Sequence, residues 1–316
     1  MAQFDDPATF YEESGNFERA LELTPKQDSD AVVRLDDKLL RLGKKERLFD
    51  AQGRPRIKLL ELLKLLGMPE QFNSCEQINQ WAQAHLLRHG ERWDQQQDFE
   101  FLRFELAPLL AELGFLDAPA PHFDTYQGAL VYGALLLSIR RSIHYLVEQW
   151  KQGVRFSQLY FLCGERTLRE VENIQQLYLE GEQLSPVKKG PPLSAFPTTE
   201  CEVARLIWEM TEVPEEMRDL PVSFVNGAKQ PDSARATRNE TVKAWLELAP
   251  EEGTYLAIAH APYHHRQDLV VRELAPTYQF ETVGYKASEN MELALILDEV
   301  ARAIFQINQM NHSKPF

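Results

Sequence analysis

The chain has 316 residues, 44% of them hydrophobic and 26% charged, and carries a formal net charge of −14. This is the composition of an ordinary folded protein, long enough for one large domain or two smaller ones. The acidic balance argues against a nucleic-acid partner, which demands clustered positive charge.

The basic stretch from Lys38 to Lys58 is interrupted by acids and has no interleaved aromatics, so it reads as a solvated face. The three cysteines, Cys75, Cys163 and Cys201, are far apart in sequence and form no CxxC pair. Neither a disulfide framework nor a zinc ribbon is expected, and a reducing, cytoplasmic setting fits best. Met1 to Glu22 is polar and acidic, unlike a signal peptide. The longest apolar run, Gly128 to Ile139, is shorter than the roughly 20 residues a membrane helix needs, so no membrane insertion is expected.

In chain order, residues 1–28 form a polar leader. Residues 29–120 form a helical section. Val32, Val33, Leu35, Leu39, Leu40 and Leu42 recur at helical spacing, Gly53 and Pro55 mark a turn, and Ile57 to Leu66 is leucine-rich up to Gly67. Ser74 is expected to cap a helix to about Leu87, and another helix should run from about Asp94 to Leu113, where Gly114 ends it. The proline-rich link Asp117 to His122 precedes a change of character. Short apolar runs at Gly128–Tyr132, Leu159–Leu162, Val222–Val225, Tyr255–Ala259 and Phe280–Val283 then alternate with amphipathic helices. The helices are expected at about 136–152, 167–182, 199–210, 237–248, 263–274 and 288–310. The pattern predicts an α/β, Rossmann-like parallel sheet over residues 121–316, with helices on both faces and an insertion at about 167–198.

In such sheets ligands sit beyond the carboxyl ends of the strands. The residues there are Gly133 after the first strand; Cys163, Gly164, Glu165 and Arg166 after the second; Asn226 and Gly227 after the third; and His260 to Arg266 after the fourth. Pro262 suits a helix entry, which puts His264, His265 and Arg266 in a first turn, where cations are unfavourable unless an anion is bound. On that reading His260 or His264 transfers a proton, Arg266 clamps an anion and Tyr263 lines the site. The competing reading is a histidine cluster with one satisfied core histidine. The spacing of His260 and His264 matches helical zinc ligands, but Pro262 intervenes and no carboxylate cluster accompanies them, so no metal is assigned. Thr237 with Glu240 makes a capping box, and Arg235 and Asn239 beside it are candidate donors. Thr199-Glu200 opens another helix, where Glu200 is either a structural helix start or a functional acid. Cys163 at a strand end is either a nucleophile or a buried structural thiol. No dinucleotide fingerprint, P-loop or nucleophile elbow is present.

Taken in order, these stretches resemble the YdcF-like family, a broad bacterial group that includes the SanA and ElyC proteins. The matching stretches are Ala129 to Gly133, Arg140 or Arg141, Cys163-Gly164-Glu165, Thr199-Glu200-Cys201, Thr237-Arg-Asn-Glu240 and Ala259 to Arg266, over roughly Tyr126 to Tyr285. The chain departs from the family's Ser-Gly-Gly at Cys163-Gly164-Glu165 and reverses its Glu-Asn pair at Asn239-Glu240. The resemblance implies a Rossmann-like fold that binds a nucleotide-type small molecule such as S-adenosylmethionine. The expectation is an anionic, phosphate-bearing ligand at the sheet edge, with transfer or hydrolysis at a phosphate ester if the protein is an enzyme. Glu200 would then hold a ribose hydroxyl or act as a base, and Gly133 and Gly164 would let the backbone approach the ligand. The alternative is a non-catalytic sensing module whose helical section engages a protein partner.

Overall fold

The computed structural model describes residues 45–50, 52–88, 99–169, 172, 184–186 and 197–312. The leader at 1–28, the helical pattern from Val32 to Leu42 and most of the 167–198 insertion lie outside them.

Five parallel strands form the central sheet: β1 (Gly128–Tyr132), β2 (Leu159–Gly164), β3 (Val222–Gly227), β4 (Thr254–Ile258) and β5 (Gln279–Val283). Their spatial order is β3-β2-β1-β4-β5. The chain moves outward from β1 to β3, then returns to the other side of β1 with β4. The order therefore reverses between β1 and β4, the position in open α/β sheets beyond whose carboxyl ends ligands bind. All neighbours are parallel, with Leu130 opposite both Tyr160 and Ala257.

Strands buried on both faces should be apolar throughout rather than alternating. Every residue of β1 and β2 is buried. Side chains of alternate parity then feed two cores. Ala129, Val131, Leu159, Phe161 and Cys163 pack on one face with Ile143, Leu146, Val203 and Ile207. These belong to α4 (Leu136–Lys151) and α5 (Glu200–Met210). Leu130, Tyr132, Tyr160 and Leu162 pack on the other face with Val242, Trp245 and Val271. Those come from α6 (Arg238–Leu246) and α7 (His264–Leu274). The sheet is therefore flanked by helices on both faces.

A third core joins the N-terminal helices α1 (Ile57–Leu65), α2 (Cys75–His85) and α3 (Arg103–Glu112) to the last helix, α8 (Leu293–His312). Leu59, Leu62, Ile78 and Leu106 bury against Ile296, Leu297, Val300 and Ile304. Among the described residues no helix is long and apolar enough to cross a membrane.

The expected helix from Thr167 does not begin there. Thr167 pairs as an antiparallel bridge with Thr199, and the Leu168 N–H donates to the Thr198 carbonyl. The start of α5 itself holds that segment in extended form. The last helix begins at Leu293 rather than near Ser288.

Candidate functional site

Three side-chain groups meet along the carboxyl edge. The first is an ion network between β1 and β2. Arg166, just past β2, donates from Nε to Glu200 at 2.5 Å and from its terminal nitrogens to both oxygens of Glu172 at 2.6 and 2.9 Å. It also donates to the Ala134 carbonyl at 2.8 Å. Glu200 accepts the Gly164 N–H at 2.8 Å, and Glu172 accepts the N–H groups of Leu136, at the head of α4, and Arg169. Both carboxylates are buried. Burial raises the Glu172 pKa, but the Arg166 guanidinium and the two backbone donors outweigh it and hold the carboxyl below the usual carboxylate range. A buried ion pair persists only when such extra hydrogen bonds complete it, as they do here.

The glycines expected to admit a ligand serve this packing instead. A Cβ on Gly133 would lie 1.9 Å from Oε1 of Glu200, and one on Gly164 would lie 3.3 Å from the Ala236 carbonyl oxygen. The space at β1's end is filled by a carboxylate of the protein.

The second group surrounds Arg238, the first residue of α6. Thr237 caps this helix with Glu240 in a capping box, as expected. The guanidinium lies over the Tyr132 ring, 4.2 Å from its centroid, and reaches the Gly133 carbonyl only at 3.5 Å. Its Nε is buried without an acceptor, and among the described residues no carboxylate lies within ion-pair distance. Burial pushes its pKa down to about 10, against the pull of Tyr132 and with the nearby Arg266 charge adding to the effect. A guanidinium nevertheless stays protonated at neutral pH. Arg238 is thus a partly exposed, poorly solvated cation at the head of a helix, where the dipole also disfavours it.

The third group is aromatic. His260, beyond β4, stacks on Tyr285 with ring centroids 4.7 Å apart and meets Tyr263 edge-on at 4.9 Å.

The remaining sequence candidates fall in different surroundings. His264 and His265 are fully buried. His265 Nε2 is 3.0 Å from the Gly114 carbonyl, and its ring packs on Phe115. Arg266 is clamped in two-point fashion by Glu299 of α8, at 2.9 and 3.0 Å, so its charge is met by the protein. That pairing removes the conflict from which an anion at α7 was inferred. Glu200, expected to hold a ribose hydroxyl or act as a base, is ion-paired with Arg166 through one oxygen and accepts the Gly164 N–H through the other. Glu165 accepts the Lys229 N–H at 2.9 Å and so ties β2's end to the loop after β3. Asn226 is exposed at the end of β3, and Arg235 and Asn239 are exposed before and within the first turn of α6. The Asn239 N–H donates to Thr237. Arg238 was not singled out from sequence, although it lies inside the Arg235 to Asn239 stretch.

Among the described residues no group of three His, Cys, Asp or Glu side chains could hold a metal ion. S-adenosylmethionine fits these residues poorly. The glycine space at β1 is filled, and the acid that would take its ribose is ion-paired. In comparisons with known proteins, no family model matches the chain and no curated protein matches it.

Proposed function

We propose that the protein binds a phosphate-bearing anionic small molecule in the crevice where the strand order reverses, with Arg238 as the cationic anchor. One observation carries this reading: Arg238 is desolvated at a helix start with no carboxylate partner among the described residues. A cation that is poorly solvated and lacks a carboxylate partner is stabilised when an anion binds beside it. A planar guanidinium suits phosphate oxygens in particular. The strand order supports a Rossmann-like classification, and kinship with the YdcF-like proteins rests on the order of the sequence motifs. His260 and Tyr263 follow β4, the strand on the far side of that reversal, and an aromatic base or sugar ring stacking on them would account for a nucleotide-type ligand. The reading is of binding first. Of the residues expected to move a proton, His264 is buried and Glu200 is ion-paired, which leaves His260 alone for transfer or hydrolysis at a phosphate ester.

The test is a thermal shift and calorimetric titration with orthophosphate, pyrophosphate, ADP, adenosine and S-adenosylmethionine, on the native chain and on Arg238→Met. Phosphate-bearing ligands should stabilise the native chain, by about 2.7 kcal/mol at a hundred times the dissociation constant, while adenosine should not. No shift with any anion, or a shift that survives in Arg238→Met, overturns the proposal.

A further inference from the structure

His144 lies about two turns into α4, and its ring reaches residues 184–186 of the 167–198 insertion. The Ser185 N–H donates to His144 Nδ1 at 2.9 Å, and the Ser185 hydroxyl oxygen lies 3.0 Å from the same nitrogen. One residue on, the Pro186 carbonyl accepts the N–H of Glu212, just past α5, at 2.7 Å. The short stretch therefore ties α4 to the end of α5, with Leu184 and Ser185 buried. A backbone N–H can only donate, so its bond to Nδ1 requires a lone pair there. The ring is then neutral, with its proton on Nε2.

We propose that His144 is a pH-sensitive anchor for residues 184–186: the neutral ring holds them and the protonated ring releases them. The two states exclude each other chemically. An imidazolium carries hydrogen on both nitrogens, so Nδ1 would meet the Ser185 N–H donor to donor. The Ser185 hydroxyl can accept from the new N–H. The buried backbone N–H is still left without its acceptor, which is the costly half of the exchange. The surroundings favour the neutral form. Burial pushes the ring's pKa below the ordinary histidine value. Glu148, one turn on, opposes this, while Lys151 and Arg140 of the same helix add to it. Among the described residues, neither α5 nor residues 184–186 bring a further charge to the ring. Because the folded pKa lies below the unfolded one, the anchor's contribution is present above the ordinary histidine value. It is lost as pH falls through the folded pKa. That window opens at a higher pH than the one for Glu172, which ties the same insertion to Arg166. The inference needs neither Arg238 nor a bound anion.

The test is nuclear magnetic resonance on the full, nitrogen-15-labelled chain, titrated from about pH 8 to about pH 5. At the neutral end the imidazole nitrogen shifts should show a bare Nδ1 and a protonated Nε2. His144 should titrate below about 6.5. Hydrogen-exchange protection of the Ser185 amide, corrected for the intrinsic rate, should fall by up to about ten-fold per pH unit from about 6.5 down to the measured His144 pKa. Below that pKa it should level off, while amides of β1 keep their protection. His144→Asn keeps an acceptor at the position of Nδ1 and does not titrate, so Ser185 protection in it should be independent of pH. The wild-type titration stands whether or not that variant folds. A proton on Nδ1 at neutral pH, a His144 that titrates at or above the ordinary value, Ser185 protection that is flat with pH, or the same slope in His144→Asn overturns the proposal.

Discussion

Helices α5 and α6 begin in the same way and end up electrostatically opposite. Each starts with a threonine cap and a capping box, Thr199 with Glu202 and Thr237 with Glu240. Each lays its first residue against the carboxyl edge of the sheet. In α5 that residue is Glu200, an acid that suits the positive end of a helix and is met by Arg166 and the Gly164 N–H. In α6 it is Arg238, a cation that opposes the dipole and, among the described residues, meets a ring face and a distant carbonyl. Local rules agree with one another almost everywhere in a folded chain, and the exceptions gather at functional positions. The first helix start is met by the protein's own groups. On the proposed reading, the second is met by a bound anion.

The contrast can be broken at its strongest point by Arg166→Met. This leaves Glu172 and Glu200 buried without their cation, and should cost about 3–5 kcal/mol of unfolding free energy in urea titrations. A loss below about 1 kcal/mol would mean that the network is not a structural unit. Its acid side makes a second prediction. Because the folded Glu172 pKa lies below its unfolded value, its contribution is present at neutral pH and disappears as pH falls through the folded pKa. Stability should therefore fall with acidification below the ordinary carboxylate range. Glu172→Gln should lower stability at pH 7 and flatten that acid limb, as read from urea midpoints across pH. Gly133→Ala tests the packing around the same network. Its methyl would meet the Glu200 carboxylate, so a loss of about 1–3 kcal/mol is expected. The loss should shrink in a Glu200→Ala background, measured as a double-mutant cycle, with a remainder from the Cys163 Cα that lies 3.0 Å from the added methyl.

The sheet was legible because its signal is local. β1 reads as a continuous apolar run from Gly128 to Tyr132 and has those bounds in the fold, and the other strands begin or end within two residues of their apolar runs. The caps Ser74, Thr199 and Thr237 were legible for the same reason. What joins the strand ends was not. Arg166 meets Glu200 across 34 positions and Arg266 meets Glu299 across 33, and neither pattern nor propensity encodes such pairs. A cation in a first helical turn calls for an anion, and for Arg266 α8 supplies one. The same rule bears with more force on Arg238, hidden within a Thr-x-x-Glu motif that already explains the helix start without it.

The smallest expected stability change is also the most discriminating. Methionine has the length to keep the Arg238 contact with Tyr132 and lacks the charge. At Arg166 the substitution strips two buried carboxylates of their partner. At Arg238 it removes a cation that has no carboxylate partner among the described residues. Arg238 is also partly exposed, and an apolar side chain of similar volume loses no ion pair there. Arg238→Met should therefore change the unfolding free energy by less than about 0.5 kcal/mol, or raise it, while abolishing any stabilisation by pyrophosphate or ADP. A loss comparable to that of Arg166→Met would show that the guanidinium is part of the scaffold, and the two helix starts would then differ only in sign. Retained stability with lost anion response separates a residue kept for binding from one kept for folding, because scaffold and ligand roles predict opposite signs for the same substitution.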